Sequence, residues 1–383
     1  MPGPLAGVRV VEIAAGGGLP LAAMLLGDMG ANVIRVDRIG SGRRRLGPPT
    51  ALRGRRSIAV DLTTPAGRAI VVRLGQVSAV LIEGFRPGVA EAMGIGPDTC
   101  CAANPALVYG RLSGTGQQGP RARQAGHDLN FLAAAGVLDG PALAATPTQR
   151  PLTTIADRGA PALLFAFGVV CALIEAQRSG RGQVVDCASV DAALVTAARF
   201  GPAGDPGADP PAHLGAPYYG VYRTRDGQYM AVAAVDRTRY QVFLHGLGLR
   251  PETLAAEAVA SQRDLASWPR LRALVADEFA RHDAAHWEAV FARLDACVTR
   301  VRSPREAHAD PQLRARGSFT QAGGRWEPTA VPVLSLTPGA PGGPPPAPGE
   351  HTREILGEAG YLPDEIDALF AGDVVRGMAA PAG

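Results

Sequence analysis

The sequence has little charge and few aromatic residues. Of its 383 residues, 19% are charged and 5% are aromatic, whereas 46% are hydrophobic. A chain this rich in apolar residues can bury a substantial core, which excludes general disorder. The net charge of +3 is close to neutral. It therefore excludes the overall basic surface of a typical nucleic-acid-binding protein, and we expect no nucleic-acid partner.

Signals for export, disulfide bonding and membrane insertion are also missing. The five cysteines form no CxxC pair, and three of them lie in apolar stretches, which indicates reduced thiols. No apolar run reaches the roughly 18 residues that would suggest a membrane span, and MPGPLAGVRVVEIA leads directly into a strand. The ending MAAPAG is not a peroxisomal signal of the SKL kind. We expect a soluble cytoplasmic protein without a membrane partner.

Short apolar strands alternate with helices along the first 200 residues. A strand at 8–14 is followed by a glycine turn, a helix that starts near Pro20 and a strand at 31–37. Further strands are predicted in SIAVDL, AVLIEGF and ALVYGRLSG. This order is typical of an α/β fold with a doubly wound parallel sheet. The stretch that begins at Pro161, PALLFAFGVVCALIEAQRSG, predicts a buried helix.

The length of the chain favours two domains. Residues 201–215 are too rich in proline and glycine for regular structure and are interpreted as a linker. The stretches YYGVYRT and QYMAVAAV, separated by Arg225-Asp226-Gly227, predict a β-hairpin. Helical patterns follow from about 237 to 297, so the second domain is expected to be α+β.

Two ionisable residues suited to proton transfer stand thirty positions apart, His127 in QAGHDLNF and Asp157 in TTIADRGAP. An imidazole and a carboxylate can form an acid/base pair at neutral pH. Each also has a structural interpretation, because the histidine could be held by the backbone and the aspartate could cap the helix near Pro161. On composition alone, both interpretations stay open.

Three other patterns are weaker. Gly16–Gly18 follows a strand, but Leu21 stands where a dinucleotide-binding motif requires glycine. His282 and His286 have the spacing of metal ligands without an obvious third ligand, and we predict no metal site. A local arginine cluster is either a solvated loop or a site for the phosphates of an anionic cofactor. It consists of Arg38, Arg43, Arg44, Arg45, Arg53, Arg55 and Arg56.

A series of short segments, in order along nearly the whole chain, carries a family resemblance. They include PLAGVRVVEI, GANVIRVDR, VLIEGFRPGVAEAMGIG, SGTGQQGP, AGHDLN, SGRGQVVD and PGEHTREIL. With them the chain resembles the family III CoA-transferase superfamily, and within it the α-methylacyl-CoA racemases. The resemblance implies an interlocked homodimer with the active site at the subunit interface. It also implies a Rossmann-like large domain over 1–200 that is completed by 330–383, and a smaller domain over 216–329.

The same resemblance implies roles for individual residues. The racemases use the histidine of GHD and a distant aspartate as two bases on opposite faces of the α-carbon, which would be His127 and Asp157. The transferases use the aspartate as a nucleophile and usually carry an aromatic residue in place of the histidine. Asp236 would orient His127. The positions implied to contact CoA are Arg38, Val60, Gly84, Phe85, Arg86, Gly126, Asp128, Leu129, Asn130 and Phe131.

The chain departs from the racemase pattern in several places. The residue that orients the histidine is typically glutamate, and here it is Asp236. An arginine expected near CoA is replaced by Ala92, and the glycines after the catalytic aspartate are replaced by RGAP at 158–161. The acyl site of the racemases is rich in methionine, whereas this chain has six in total. These differences bear on the substrate more than on the fold.

The sequence therefore predicts a racemase or epimerase of 2-methylacyl-CoA thioesters that works by 1,1-proton transfer through an enolate. We expect no metal or redox cofactor for this proton-transfer chemistry, and CoA is part of the substrate. Two alternatives stay open. One is a CoA-transferase with Asp157 as nucleophile, and the other is a non-catalytic acyl-CoA-binding protein, suggested by the altered loop at 158–161.

Overall fold

The computed structural model describes residues 3–40, 48–136, 158–197, 215–249 and 262–378. The chain divides into two compact units. The first contains residues 1–138, 148–199 and 317–383, and the second contains residues 139–147 and 200–316.

A seven-stranded sheet forms the centre of the first unit. Its strands are β1 (Arg9–Ile13), β2 (Asn32–Arg38), β3 (Arg55–Val60), β4 (Val80–Glu83), β5 (Val108–Ser113), β6 (Val184–Ala188) and β12 (Val375–Arg376). They lie in the order β12-β3-β2-β1-β4-β5-β6, parallel except for the antiparallel edge strand β12. This is the strand order of a Rossmann-like sheet, whose direction of winding reverses between β1 and β4. The predicted α/β class is confirmed.

Helices connect the strands of the first unit. They are α1 (Leu19–Asp28), α2 (Pro65–Gln76), α3 (Val89–Ala92), α4 (Pro97–Ala103), α5 (Asp128–Ala134), α6 (Ala160–Ser179), α7 (Ser189–Ala197), α13 (Thr352–Glu358) and α14 (Pro363–Ala371). Alternate residues of a strand face opposite sides of a sheet. In β1, Val11 and Ile13 pack in a core with residues of α2 and α13, whereas Val10 packs with residues of α1 and α6. The sheet is therefore covered on both faces.

Helix α6 is the predicted apolar helix, and it begins at Ala160. Its Phe165 and Val169 are buried, but Leu163 and Phe167 are 60% and 67% exposed. It is also the one helix in the described part of the chain that is long and apolar enough, by length and composition alone, to cross a membrane. The apolar run within it ends at Ile174, before Glu175 and Arg178, and a mostly buried core helix passes the same test, so the expected absence of a membrane partner stays a prediction.

The second unit contains a three-stranded sheet and several helices. The elements are β7 (Tyr219–Arg223), β8 (Tyr229–Ala233), β9 (Val298–Arg300), α8 (Arg237–Gly246), α9 (Trp268–Phe279), α10 (Ala284–Phe291), α11 (Pro304–Ala307) and α12 (Pro311–Ala315). Strands β7 and β8 are the predicted hairpin. The core is aromatic, with the ring of Phe279 5.2 Å from that of Trp287 and 6.1 Å from that of Phe243. The rings of His282 and His286 stack at 4.0 Å, and no group of three potential metal ligands occurs among the described residues.

A further hairpin, β10 (Phe319–Ala322) and β11 (Arg325–Pro328), lies in the first unit. It is attached there by Arg53, which donates to the carbonyl of Pro328 at 2.7 Å and lies 3.5 Å from Glu327. The small domain predicted from the sequence ends at 329, whereas the second unit of the structure ends at 316. The predicted linker lies outside the described residues except for Gly215.

Candidate active site

The predicted site residues of the first unit gather where parallel strands end. Arg38 is the last residue of β2, Val60 is the last of β3, and Gly84 follows β4 directly. The loop that leads to His127 starts at the end of β5. Because the carboxyl ends of parallel strands meet at one edge of a sheet, these segments share that edge, which is where open α/β sheets bind their ligands.

The turn after β4 is fixed by a buried ion-pair network. The carboxylate of Glu83 accepts hydrogen bonds from the backbone N–H of Phe85 at 2.5 Å and from Nε of Arg111 at 3.0 Å. Arg111 also pairs with Glu91 at 2.7 Å. Burial raises the pKa of Glu83, although the Phe85 amide and Arg111 act in the opposite direction. The network holds the start of the predicted CoA-contacting segment in place.

His127 lies immediately before α5 and is exposed. Its backbone N–H donates to Oδ1 of Asn130 at 3.0 Å, and its carbonyl accepts from the N–H groups of Asn130 and Phe131 at 2.9 and 3.2 Å. The backbone of the histidine is thus held at the first turn of the helix. Its side chain remains accessible to a ligand.

Phe131 packs under this turn. A β-carbon built on Gly114 would lie 2.5 Å from Cζ of the ring, and one built on Gly126 would lie 2.8 Å from Cε1. Both positions therefore need glycine so that the ring can lie against the backbone at the end of β5. The adjoining turn is closed by Gly116, whose N–H donates to Oγ of Ser113 at 3.0 Å.

Asp157 lies outside the described residues, but the residue that follows it is described. A β-carbon on Gly18 would lie 3.3 Å from the carbonyl oxygen of Arg158 and 3.4 Å from the backbone nitrogen of Ala162. The glycine turn after β1, which could be mistaken for part of a dinucleotide motif, thus allows close approach of the start of α6.

Arg38 has an acidic neighbour at the edge of the sheet. The pKa of Asp61 is below its ordinary value, mainly because the hydroxyl and amide of Thr63 donate to its carboxylate and, to a smaller extent, because of the positive charge of Arg38. Arg38 pairs with Val60 in the register of β2 and β3, and Asp61 follows Val60 directly.

Three members of the arginine cluster are structural, and the phosphate-binding interpretation is wrong for them. Arg53 pairs with Asp28 at 2.6 Å, and Arg55 pairs with Glu12 at 2.9 Å, all four side chains being buried. Nη1 of Arg56 lies 2.6 Å from Glu354 and from Glu358 on α13. These acids neutralise the arginines. Positions 43–45 lie outside the described residues.

Asp236 belongs to the second unit, where it caps α8. Its Oδ1 accepts from the backbone N–H of Arg239 at 3.0 Å, and its side chain is 59% exposed. The hydrogen bond occupies one carboxylate oxygen and leaves the other able to accept.

The structure thus brings most of the predicted positions of the first unit to one edge of the sheet. Sequence reasoning missed Glu83, Arg111, Gly18 and Gly114. Glu83 in β4 and Arg111 in β5 are charged residues within mostly apolar strands, and that contrast is a signal by which they could have been found. The glycines gave no signal that distinguishes them from the other glycines of the chain.

Comparison with known proteins agrees with this architecture. The model of CoA-transferase family III matches residues 5–352. The chain is 40% identical to the alpha-methylacyl-CoA racemase of Mus musculus over 97% of each chain, and 38% identical to that of Homo sapiens, again over 97% of each. It is 31% identical to the succinyl-CoA–D-citramalate CoA-transferase of Chloroflexus aurantiacus over 98% of each. The crystal structure of a CAIB/BAIF family protein from Brucella suis superimposes with a TM-score of 0.81 and 27% identity, covering 94% of this chain and 100% of that one.

Proposed function

The chain belongs to CoA-transferase family III, and from that premise we propose that it is an isomerase that racemises 2-methylacyl-CoA thioesters by 1,1-proton transfer. The family resemblance predicted from the sequence is confirmed, and similarity to racemases over nearly the full length supports an enzyme of that type. The acyl-CoA is the substrate, and its CoA part is held along the edge of the sheet that carries Arg38, Val60 and the Gly84–Arg86 segment.

One observation carries the proposal: an accessible histidine, His127, stands at the first turn of α5 at the carboxyl edge of the sheet. A CoA-transferase that works through an aspartyl anhydride has no use for a second base there. A racemase needs one, because inversion requires a deprotonated group on one face of the α-carbon and a protonated group on the other.

The proposed reaction has two proton transfers. One of His127 and Asp157 removes the α-proton, which leaves an enolate conjugated with the thioester carbonyl, and the other then donates a proton to the opposite face. The enolate oxygen needs hydrogen-bond donors. The first turn of α6, a 20-residue helix that begins three residues after Asp157, offers backbone N–H groups and the positive end of a helix dipole.

We further propose that Asp236 orients His127. One carboxylate oxygen of Asp236 accepts from the N–H of Arg239, and the other is able to accept a hydrogen bond from the imidazole. We propose that the wall next to the CoA is formed by Gly126, Asp128, Leu129, Asn130 and Phe131.

We propose a cytoplasmic homodimer that uses no cofactor beyond CoA. The exposed apolar side chains of α6 and α7, Leu163, Phe167, Ile174, Leu194 and Val195, support an assembly that covers them.

A second candidate is transfer of CoA between acids, with Asp157 as nucleophile. It is favoured by the CoA-transferases that are 31% identical to the chain over nearly its full length. In that reaction the carboxylate would attack the thioester, which forms a mixed anhydride and releases the CoA thiolate. The thiolate would then attack the aspartyl carbonyl, which releases the donor acid and leaves an aspartyl-CoA thioester. The acceptor carboxylate would displace CoA from that thioester to give a second anhydride, and attack of the thiolate on the acceptor's carbonyl would yield the new acyl-CoA and restore the aspartate.

One experiment distinguishes the two. The purified protein is incubated with a single enantiomer of a 2-methylacyl-CoA in D₂O, deuterium at the α-carbon is followed by NMR, and configuration is followed by chiral analysis. Exchange with inversion is the expected result. CoA transfer to free acids without α-exchange would establish the transferase instead, and neither reaction on several acyl chains would contradict both.

A further inference from the structure

A guanidinium group lies beside the turn that follows β4. A β-carbon built on Gly88 would lie 3.9 Å from Nη2 of Arg123, so the arginine side chain reaches back from the loop after β5 to the backbone of this turn. Gly88 has φ of 85° and precedes α3 directly. The turn itself is closed by the N–H of Val89, which donates to the carbonyl of Arg86 at 3.1 Å.

Arg123 and Arg86 are both exposed. Within the described ranges, neither guanidinium has a carboxylate partner, although many other arginines of the chain do. Glu91, on the helix that follows this turn, is already paired with Arg111 at 2.7 Å. Two adjacent loops thus present positive charge without a neutralising partner at the ligand-binding edge of the sheet.

We propose that Arg123 binds a phosphate of the CoA moiety. This inference rests on the proposed function, since it requires a CoA thioester at this edge. A planar guanidinium with several N–H donors is well matched to phosphate oxygens and can bind them in a bidentate manner. Ala92, at the exposed end of α3, supplies no such group. Arg123 therefore places the cation on the neighbouring loop, beside the turn from which α3 starts.

The test compares Arg123→Gln with a matched control, Arg178→Gln. Arg178 is 78% exposed and lies in the last turn of α6, which leads to the start of β6 and thus to the opposite edge of the sheet. Both variants lose one positive charge. Dissociation constants are measured for CoA and for 3′-dephospho-CoA, and turnover is measured with an acyl-pantetheine thioester, which has no phosphate.

Arg123→Gln should weaken CoA binding about tenfold or more, as expected for loss of a charge-assisted hydrogen bond, and Arg178→Gln should not. A loss confined to CoA assigns the contact to the 3′-phosphate, and an equal loss with 3′-dephospho-CoA assigns it to the diphosphate. Unchanged CoA affinity in Arg123→Gln overturns the inference. A loss of turnover with the pantetheine thioester as large as the loss of CoA affinity also overturns it, because that substrate has no phosphate for Arg123 to bind. If the wild-type protein binds no CoA, the proposed function itself fails.

Discussion

The ring of Phe131 occupies the space that a side chain at Gly114 would need, since a β-carbon there would lie 2.5 Å from Cζ. Gly114 follows β5, and Phe131 lies in the helix that His127 precedes. The contact therefore sets the distance between the end of a central strand and the proposed catalytic histidine. A fixed backbone at that distance matters because proton transfer requires the base to lie within hydrogen-bond reach of its proton.

Gly114→Ala is expected to push the ring and the first turn of α5 away from the sheet. We expect kcat to fall at least tenfold and the free energy of unfolding to fall by about 1–3 kcal/mol, the usual effect of overpacking. The control is Gly357→Ala in α13, where a β-carbon would meet nothing within 4 Å and helix propensity predicts a gain of up to about 1 kcal/mol. Steady-state kinetics and urea unfolding measure both effects. A fully active Gly114→Ala protein would contradict this account.

His127→Ala should abolish inversion, with a loss of at least about a hundredfold, because one of two acid/base groups is removed. The side chain is exposed, so stability should change by less than about 0.5 kcal/mol and CoA should bind nearly as before.

Asp157→Ala should also stop inversion, whereas Asp157→Asn is expected to retain some one-sided α-exchange. Deuterium exchange and chiral analysis in D₂O measure these effects. Normal inversion by either alanine variant would remove that residue from the mechanism.

Glu83→Gln should weaken CoA binding and destabilise the first unit. A glutamine offers one oxygen where Glu83 now accepts from both Phe85 and Arg111, so one buried donor loses its partner. We expect a cost of about 2–4 kcal/mol in the free energy of unfolding and a raised KM with a smaller change in kcat. Glu91→Gln is the matched control, because that side chain also pairs with Arg111 but is 42% exposed. If Glu83→Gln and Glu91→Gln lowered the free energy of unfolding equally, burial of the Glu83 carboxylate would not be the cause of the loss.

The pairing of Arg56 with Glu358 should make stability depend on pH. Hydrogen bonds from Arg56 lower the pKa of Glu358 below its ordinary value, which is about 4.3 in an unfolded chain. A depressed carboxyl pKa contributes stability above the ordinary value, and that contribution is lost as pH falls through the folded-state pKa. Glu358→Gln should therefore lower Tm by about 2 °C or less near pH 6. The difference from wild type should shrink as pH falls below about 4.

The control for this pH profile is Glu175→Gln. Its carboxylate lies 4.0 Å from Arg178 on an exposed part of α6, with side-chain exposures of 51% and 78%. Thermal unfolding between pH 3 and pH 7 should show little difference from wild type for this variant. A Glu358→Gln profile parallel to that of wild type would show that the ion pair does not contribute to stability.

Local patterns were enough to predict most elements of the large unit. The apolar strands, Pro20 at the start of α1 and Pro161 in the first turn of α6 give signals within a few residues of the element that they define. Burial of the sheet on both faces explains the apolar residues of the strands, such as Val10 and Val11, and buried charges within the strands, such as Arg35 and Glu12, are paired with each other. The hairpin of β7 and β8 was likewise visible from its Arg225-Asp226-Gly227 turn.

Features that depend on distant residues could not be predicted in this way. Arg53 and Arg55 resemble a phosphate-binding cluster in the sequence, and only the fold brings them to Asp28 and Glu12. The same limit applies to the hairpin at 319–328, whose place in the first unit depends on Arg53. The catalytic interpretation of His127 and Asp157 came from the resemblance, because a lone histidine and a lone aspartate have common structural roles.

The pairing of Val375 in β12 with Val60 in β3 has a consequence for how the protein is made. The edge of β3 stays open while roughly 300 further residues are synthesised, which takes about 15–60 seconds at 5–20 residues per second. An unpaired strand edge is a template for association with other chains during that time. The edge of β3 therefore stays exposed until β12 has left the ribosome, and a chain that lacks β12 would keep that edge open.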